Sequence, residues 1–309
     1  MLKKIALCLS AALLLTVQIF AQQNAAAASL APTEKSLLWK ISGKGLTTSS
    51  FLFGTIHMID KDKFELRDAV KSSLSASQRV TFEINMEKMS DISTLFPLLM
   101  KMYMNNDTTL RDLLTKEEYD IVKKHFDKVG LPLSFLDRIK PMFLSMLASE
   151  DMQSMQSADG EGGDGIVSYE MELMKLAKDQ QKKIDGLETI EYQMSIFDSI
   201  PYGIQAKMLL ESVQGNGESV KADEDFDKMI ELYLNQDIQN MQDIVDDDAL
   251  GQQFGDILLN RRNQNWIPVM SRMMAAEPVF FAVGAGHLGG EKGVIALLRQ
   301  AGFTVEAVK

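Results

Sequence analysis

The sequence predicts a mixed α/β fold in which strands from both ends of the chain flank a long helical middle. Three observations carry this reading. Two short apolar runs, Phe51 to Phe53 and Val279 to Val283, are rich in aromatic and β-branched residues, are bounded by turn residues, and are too short for free-standing helices. Arg79 to Met86, RVTFEINM, alternates with the period of a strand. Between about residues 90 and 275 helical patterning takes over.

Taken in order, Leu37 to Ser42 and Ser50 to Gly54, separated by a turn-rich segment, predict a β-hairpin that delivers His57 at its exit. Leu66, Val70 and Leu74 share one helical face. The RVTFEINM strand then sets Glu83 and Asn85 opposite Phe82 and Ile84. Two readings of Glu83 are open: a solvent-facing residue on an edge strand, or a carboxylate belonging to a site. From Ser90 to Ser157 the chain is helical and methionine-rich, which suits adaptable core packing or a lid over a site for varied apolar side chains. Thr115 and Glu118 form a capping box for a helix to about Lys128, and Pro132 and Pro141 punctuate the next ones.

Ser157 to Gly165, SADGEGGDG, lacks the ligand order of an EF-hand and reads as a linker. A helix is expected over Val167 to Asp179, then a short strand from Lys183 that carries Glu188 at its carboxyl end. Helices fill Ile190 to about Met274 with an acidic break at Asp246 to Asp248, and the chain closes with a strand, a helix over Gly290 to Gln300 and a strand over Thr304 to Val308. This order predicts one domain over residues 29–309 with a helical insertion at about 90–275.

Composition narrows the function. Of 309 residues, 46% are apolar and 24% charged, which supports a substantial core. Lys3 and Lys4, the apolar run Ile5 to Phe20 and the small residues at Ala21 and Ala25 to Ala28 predict a secretory signal peptide over residues 1–28, with cleavage between about 21 and 28 and a secreted or periplasmic product. No later stretch is long and apolar enough to span a bilayer. Cys8 lies inside the signal, so the mature chain has no thiol for catalysis, metal binding or disulfides. Loss of Lys3 and Lys4 takes the formal charge from −11 to −13, a surface that repels nucleic acid and anionic lipid.

The chemistry concentrates in an echo. Of three histidines, two close a G-x-x-H motif after an apolar run: Gly54-Thr-Ile-His57 and Gly284-Ala-Gly-His287. Each histidine is placed just past the carboxyl end of a strand, the rim where open α/β sheets bind ligands, and the glycines allow a sharp turn or close approach. The third, His125, falls on a charged amphipathic helix, is read as solvated, and is given no role. Two neutral imidazoles and Glu83, brought together by one sheet, suit a divalent Zn, Mn, Fe or Co ion. No H-E-x-x-H, P-loop, nucleophile-elbow or dinucleotide fingerprint is present.

The two G-x-x-H motifs, VTFEIN, DGLETIEYQ at 185–193, NRRNQNW at 260–266 and the ending AVGAGHLGGEKGVIALLRQAGFTVEAV together resemble the TraB/GumN family. That family is related to the Tiki metalloproteases and, more distantly, to haem-binding ChaN proteins and erythromycin esterases. The resemblance runs from about Leu37 to Val308 and implies a ChaN-like α/β fold with a metal-dependent site. Carried over, His57 and His287 match the family histidines, Glu83 its strand glutamate, Glu188 the glutamate of G-L-E-T, and Arg262 and Asn263 the R-N pair before the tryptophan. Asn85 and Val167 stand where relatives often have acids, so any ligand those acids supply is expected to be missing. The resulting expectation is a secreted metal-dependent hydrolase of peptides or proteins, with Arg262 stabilising an oxyanion. The alternative is a peptide- or haem-sequestering domain without turnover.

Overall fold

The computed structural model describes residues 30–90, 92–148, 165–214, 227–247 and 249–309. The expected signal peptide, and all but Gly165 of the Ser157 to Gly165 linker, lie outside the described residues. The fold is mixed α/β. Its main sheet has six strands in the order β6-β4-β7-β2-β1-β8. These are β1 (Leu38–Ser42), β2 (Ser50–Thr55), β4 (Arg79–Ile84), β6 (Lys183–Glu188), β7 (Val279–Gly284) and β8 (Thr304–Ala307). A separate two-stranded ribbon joins β3 (Ile59–Asp60) to β5 (Ile166–Val167).

Strands β6, β4, β7 and β2 run parallel, so their carboxyl ends share one rim. The hairpin partner β1 is antiparallel to both β2 and β8. A parallel strand covered on both faces needs an unbroken apolar run, and β7 meets this with Val279, Phe280, Phe281, Ala282 and Val283 all buried. Trp39, Leu52, Val80, Trp266 and Met270 fill the layers on either side. The helix Asp68–Ala76 buries Val70 and Leu74 in the crossover from the β2 hairpin to β4, while Leu66 lies before its first turn. A second core, built on Leu110, Val122, Phe126, Leu133, Leu144 and Leu209, belongs to the helical middle.

Local rules explain the elements that the sequence predicts. Thr115 and Glu118 cap each other's backbone N–H groups, at 2.8 Å and 3.3 Å, and open the helix Lys116–Lys128. Three expectations are corrected. The β-branched pair Ile166–Val167 is a strand on β3, and the helix starts only at Tyr169, because Ser168 Oγ accepts the N–H of Met171 as its N-cap. The last helix starts at Val294 instead of Gly290, whose positive φ of 73° belongs to the preceding turn. The acidic run expected as a break falls where the helix Ile238–Asp247 ends and the next, Ala249–Gly255, begins, Asp248 itself lying outside the described residues. His125 is half-buried with Nε2 3.2 Å from the Ala148 carbonyl, tying two helices of the second core. The methionines of this region divide: Met104 is buried, Met100 and Met146 are exposed. Among the described residues no helix is long and apolar enough to cross a membrane.

Strands β4 and β6 approach too closely for a side chain at Gly186. A Cβ there would lie 2.5 Å from the backbone nitrogen of Asn85 and 2.9 Å from the carbonyl carbon of Ile84. Backbone cannot step aside as a flexible side chain can. Gly186→Ala should lower stability by about 1–3 kcal/mol, read as a drop in the denaturation midpoint at unchanged denaturant slope.

Candidate functional site

The rim of the four parallel strands gathers the side chains that the two motifs point to. Thr55 pairs with Gly284 at the ends of β2 and β7, and Ile84 pairs with Glu188 at the ends of β4 and β6. Glu83, Glu188 and the two G-x-x-H turns therefore leave the sheet at one level. Strand β4 is interior, flanked by β6 and β7, so Glu83 is not a solvent-facing residue on an edge strand. Its side chain is only 13% exposed.

Arg262 is the hub of this cluster. It stands on the helix Arg261–Ala276, just after a π-helical turn, Asp256–Asn260. Its Nε donates to both Glu188 oxygens at 3.0 and 3.3 Å, and Nη2 donates to Glu83 Oε2 at 2.6 Å and Glu188 Oε1 at 2.7 Å. Nη1 donates to the Leu258 carbonyl of the π-helical turn at 3.0 Å and reaches His287 Nε2 at 3.2 Å. All five guanidinium N–H donors thus have acceptors inside the protein. An oxyanion role for Arg262 requires release of one of them.

Glu83 is held from two further sides and flanked on a third. The Gly284 N–H donates to Oε1 at 2.9 Å, Gln193 Nε2 donates to Oε2 at 3.1 Å, and His287 Nε2 lies 3.6 Å from Oε1. Burial alone would raise its pKa, but the His287 ring, the Arg262 guanidinium and the Gly284 N–H overcome that and pull it down to about 2. Glu83 is a carboxylate throughout the physiological range. Glu188 is equally enclosed, accepting Trp266 Nε1 at 3.0 Å besides Arg262.

His287 is buried, and its tautomer follows from its neighbours. Asn263 Nδ2 donates to the Lys292 carbonyl at 3.0 Å, which turns Asn263 Oδ1 toward His287 Nδ1, 2.6 Å away. An amide oxygen only accepts, so Nδ1 carries the proton and Nε2 keeps its lone pair. Burial, helped by the Arg262 charge and opposed by Glu83, lowers the His287 pKa to about 4, so the ring is neutral at pH 7. The Trp266 ring lies against it, with centroids 4.5 Å apart.

His57 occupies the neighbouring exit and is 76% exposed. Its Nδ1 is 3.1 Å from Glu170 Oε1, and that hydrogen bond raises its pKa. Glu170 opens the helix Tyr169–Asp179 and also accepts Thr55 Oγ1 at 2.7 Å and Ser168 Oγ at 3.1 Å. Glu83 and Arg262 are close enough to act on the His57 charge, yet His57 bonds to Glu170 rather than to them.

The structure therefore joins Glu83, Arg262, Glu188, Asn263 and His287 in one hydrogen-bonded network, with His57 beside it. The motif glycines serve close approach. A Cβ at Gly54 would lie 2.6 Å from Leu288 Cδ1, and one at Gly284 would lie 3.3 Å from Glu83 Oε1. The two positions that depart from the family pattern are both engaged in the fold. Asn85 accepts the N–H of Glu87 and donates to the Ile184 carbonyl, while Val167 pairs with Ile59 in the ribbon and Glu170, three residues on, faces His57. Sequence reasoning missed Glu170 because its position was read as helix interior; the Ser168 N-cap was the available signal. Gln193 and the π-helical turn had no local signature.

Residues 37–307 match the TraB/PrgY/gumN family. The chain belongs to that family. Among curated proteins it is 22% identical to a metalloprotease TIKI homolog of Amphimedon queenslandica, over 88% of this chain and 61% of that protein. It is 23% identical to metalloproteases TIKI2 and TIKI1 of Danio rerio, over 88% of this chain and 60% and 63% of theirs. The chain thus spans about three fifths of the length of these relatives. No solved structure gives a significant match.

Among the described residues, no three His, Cys, Asp or Glu side chains are arranged as a group that could hold a metal ion. The chemistry of the donors on the rim does fit a first-row divalent ion. Both imidazoles have Nδ1 tied to an oxygen acceptor, the outer arrangement that leaves Nε2 as the ligating atom, and ionised carboxylates lie beside them; at His287 that Nε2 accepts from Arg262 Nη1 at 3.2 Å and can ligate only once that bond is released.

The buried, neutral His287 sets an acid limit on stability. Its pKa is about 4 in the folded chain and about 6.5 unfolded. Above pH 6.5 neither state binds the proton; as pH falls from there to about 4, the unfolded state alone takes it up. Stability should fall across that window by about 3 kcal/mol. Urea denaturation of metal-free protein between pH 7.5 and 4 checks this, and His287→Asn should flatten the slope.

Proposed function

We propose that this protein is an exported metal-dependent hydrolase that cleaves peptide bonds, with His57, His287 and Glu83 as the residues that would hold the ion. The observation that carries this reading is the rim itself: two imidazoles with anchored Nδ1 atoms and a buried carboxylate at the carboxyl ends of neighbouring parallel strands. The metalloprotease names of the relatives support the reaction class, and the basic-then-apolar start of the sequence supports export.

A bound divalent ion polarises a carbonyl and makes water a better nucleophile near neutrality. The protein's own residues have distinct parts. Glu83, with a pKa near 2, is too weakly basic to take a proton efficiently at neutral pH. Its fixed negative charge suits a ligand or an electrostatic anchor. Arg262 keeps that charge in place and sets Glu188 and Trp266 around His287. Asn263 keeps the His287 Nε2 lone pair facing Glu83 and Arg262. His57, exposed at the edge of the cluster, is the imidazole a substrate meets first.

A second reading, a peptide- or haem-sequestering domain, draws on the lack of a preformed three-donor group among the described residues. One pair of measurements separates the two. Under the hydrolase reading, purified protein retains a divalent ion that a His57→Ala/His287→Ala variant lacks. Glu83→Gln, with unchanged circular dichroism, should lose about 100-fold or more in peptide turnover at saturating metal. Equal, near-zero metal in both proteins, or full turnover in Glu83→Gln, removes the hydrolase reading as stated; a Soret band on haem titration would then favour the binder.

A further inference from the structure

We propose that Glu170 is the positioning residue of His57: a buried carboxylate that locks the imidazole in the tautomer protonated at Nδ1 and so presents the Nε2 lone pair on the rim. The assignment deepens the proposed function, in which His57 is one of the residues holding the ion.

The geometry is asymmetric in a way that a simple surface ion pair is not. Glu170 is 13% exposed and His57 is 76% exposed, so the carboxylate is the fixed partner and the ring is the one being held. Oε1 of Glu170 lies 3.1 Å from His57 Nδ1 and also receives the Thr55 hydroxyl at 2.7 Å, while Oε2 receives the Ser168 hydroxyl at 3.1 Å. Two hydroxyl donors from two different segments fix both carboxylate oxygens. An ionised carboxylate only accepts, so the ring nitrogen that faces it must carry the proton. Exposed ion pairs add little to stability, and a pair with one member largely in water is poorly explained as a structural device.

The backbone shows how the carboxylate is delivered. Strand β3 begins two residues after His57, and Ile59 and Asp60 pair with Val167 and Ile166 of β5. The Lys61 N–H donates to the Gly165 carbonyl at 2.8 Å and extends the ribbon. Ser168 then caps the helix Tyr169–Asp179, so the first turn of that helix is clamped beside the His57 turn. Val167 is committed to the ribbon, and the acid comes three residues later. The same arrangement recurs at the second motif with different chemistry, where the buried Asn263 amide holds Nδ1 of His287. Each G-x-x-H histidine thus has its own fixed acceptor.

The test uses metal-free full-length protein labelled with 15N-histidine, observed by long-range 15N–1H correlation well above the histidine titration range. There are only three histidines, and His57→Gln assigns the signal of interest. The expected wild-type spectrum shows His57 protonated at Nδ1. Glu170→Ala should move it toward the Nε2-protonated form that a free imidazole prefers, and Glu170→Gln, whose amide oxygen still accepts, should keep the wild-type tautomer. In a second arm, calorimetric titration with Zn2+ should show affinity weakened about 10–100-fold in Glu170→Ala and less in Glu170→Gln. A wild-type His57 protonated at Nε2 overturns the proposal without any variant. An unchanged tautomer in folded Glu170→Ala overturns it as well. The expected tautomer shift with no Zn2+ binding by the wild type would uphold the positioning role and sink the metal reading alone.

Discussion

One guanidinium sets the terms for the rest of the rim. Two carboxylates and an imidazole at the ends of three adjacent strands are taken out of water together, which is tolerable only because Arg262 stands among them with every N–H donor engaged. Removing one partner from such a cluster leaves uncompensated buried charge, at a cost of about 3–5 kcal/mol. The helix that carries Arg262, the π-helical turn that offers the Leu258 carbonyl and the indole of Trp266 are all placed with reference to that one group. Lysine cannot replace it, since a point charge cannot bridge Glu83 and Glu188 in a planar fork.

The two motif histidines differ in consequence. His287 is buried against the guanidinium and away from water, so it is neutral; His57 feels the same charge from farther off, is exposed to water, and is tied to a different carboxylate. A matched sequence setting has produced two environments, one interior and one at the edge. The difference comes from neighbours on the helices Tyr169–Asp179 and Arg261–Ala276, neither of which is near a histidine in sequence.

This explains how much could be read from the chain alone. The strand frame was legible because burial on both faces forces an apolar run such as Val279 to Val283, and because Thr115 and Glu118 state their cap locally. His57, His287, Glu83 and Glu188 were legible as rim residues because each lies at or beside a strand end. Glu170 was not, since its meaning depends on Ile166–Val167 pairing with Ile59–Asp60, a tertiary choice that overrode helix continuity. Gln193, the π-helical turn and the complete engagement of Arg262 depend on contacts across the fold, and side-chain spacing carries no record of them.

The position of β7 has a consequence for when the site can come into being. It lies between β4 and β2, yet it is formed by Val279–Gly284, near the end of the chain. Until it inserts, the β1–β2 hairpin and the β4–β6 pair have no shared neighbour in the sheet, and the rim is split in two. A nascent or truncated chain that stops short of about residue 280 can hold His57 and Glu83, but it has nothing to hold them side by side. The closing of the central gap, a long-range event in sequence, is thereby the step at which the two halves of the rim meet.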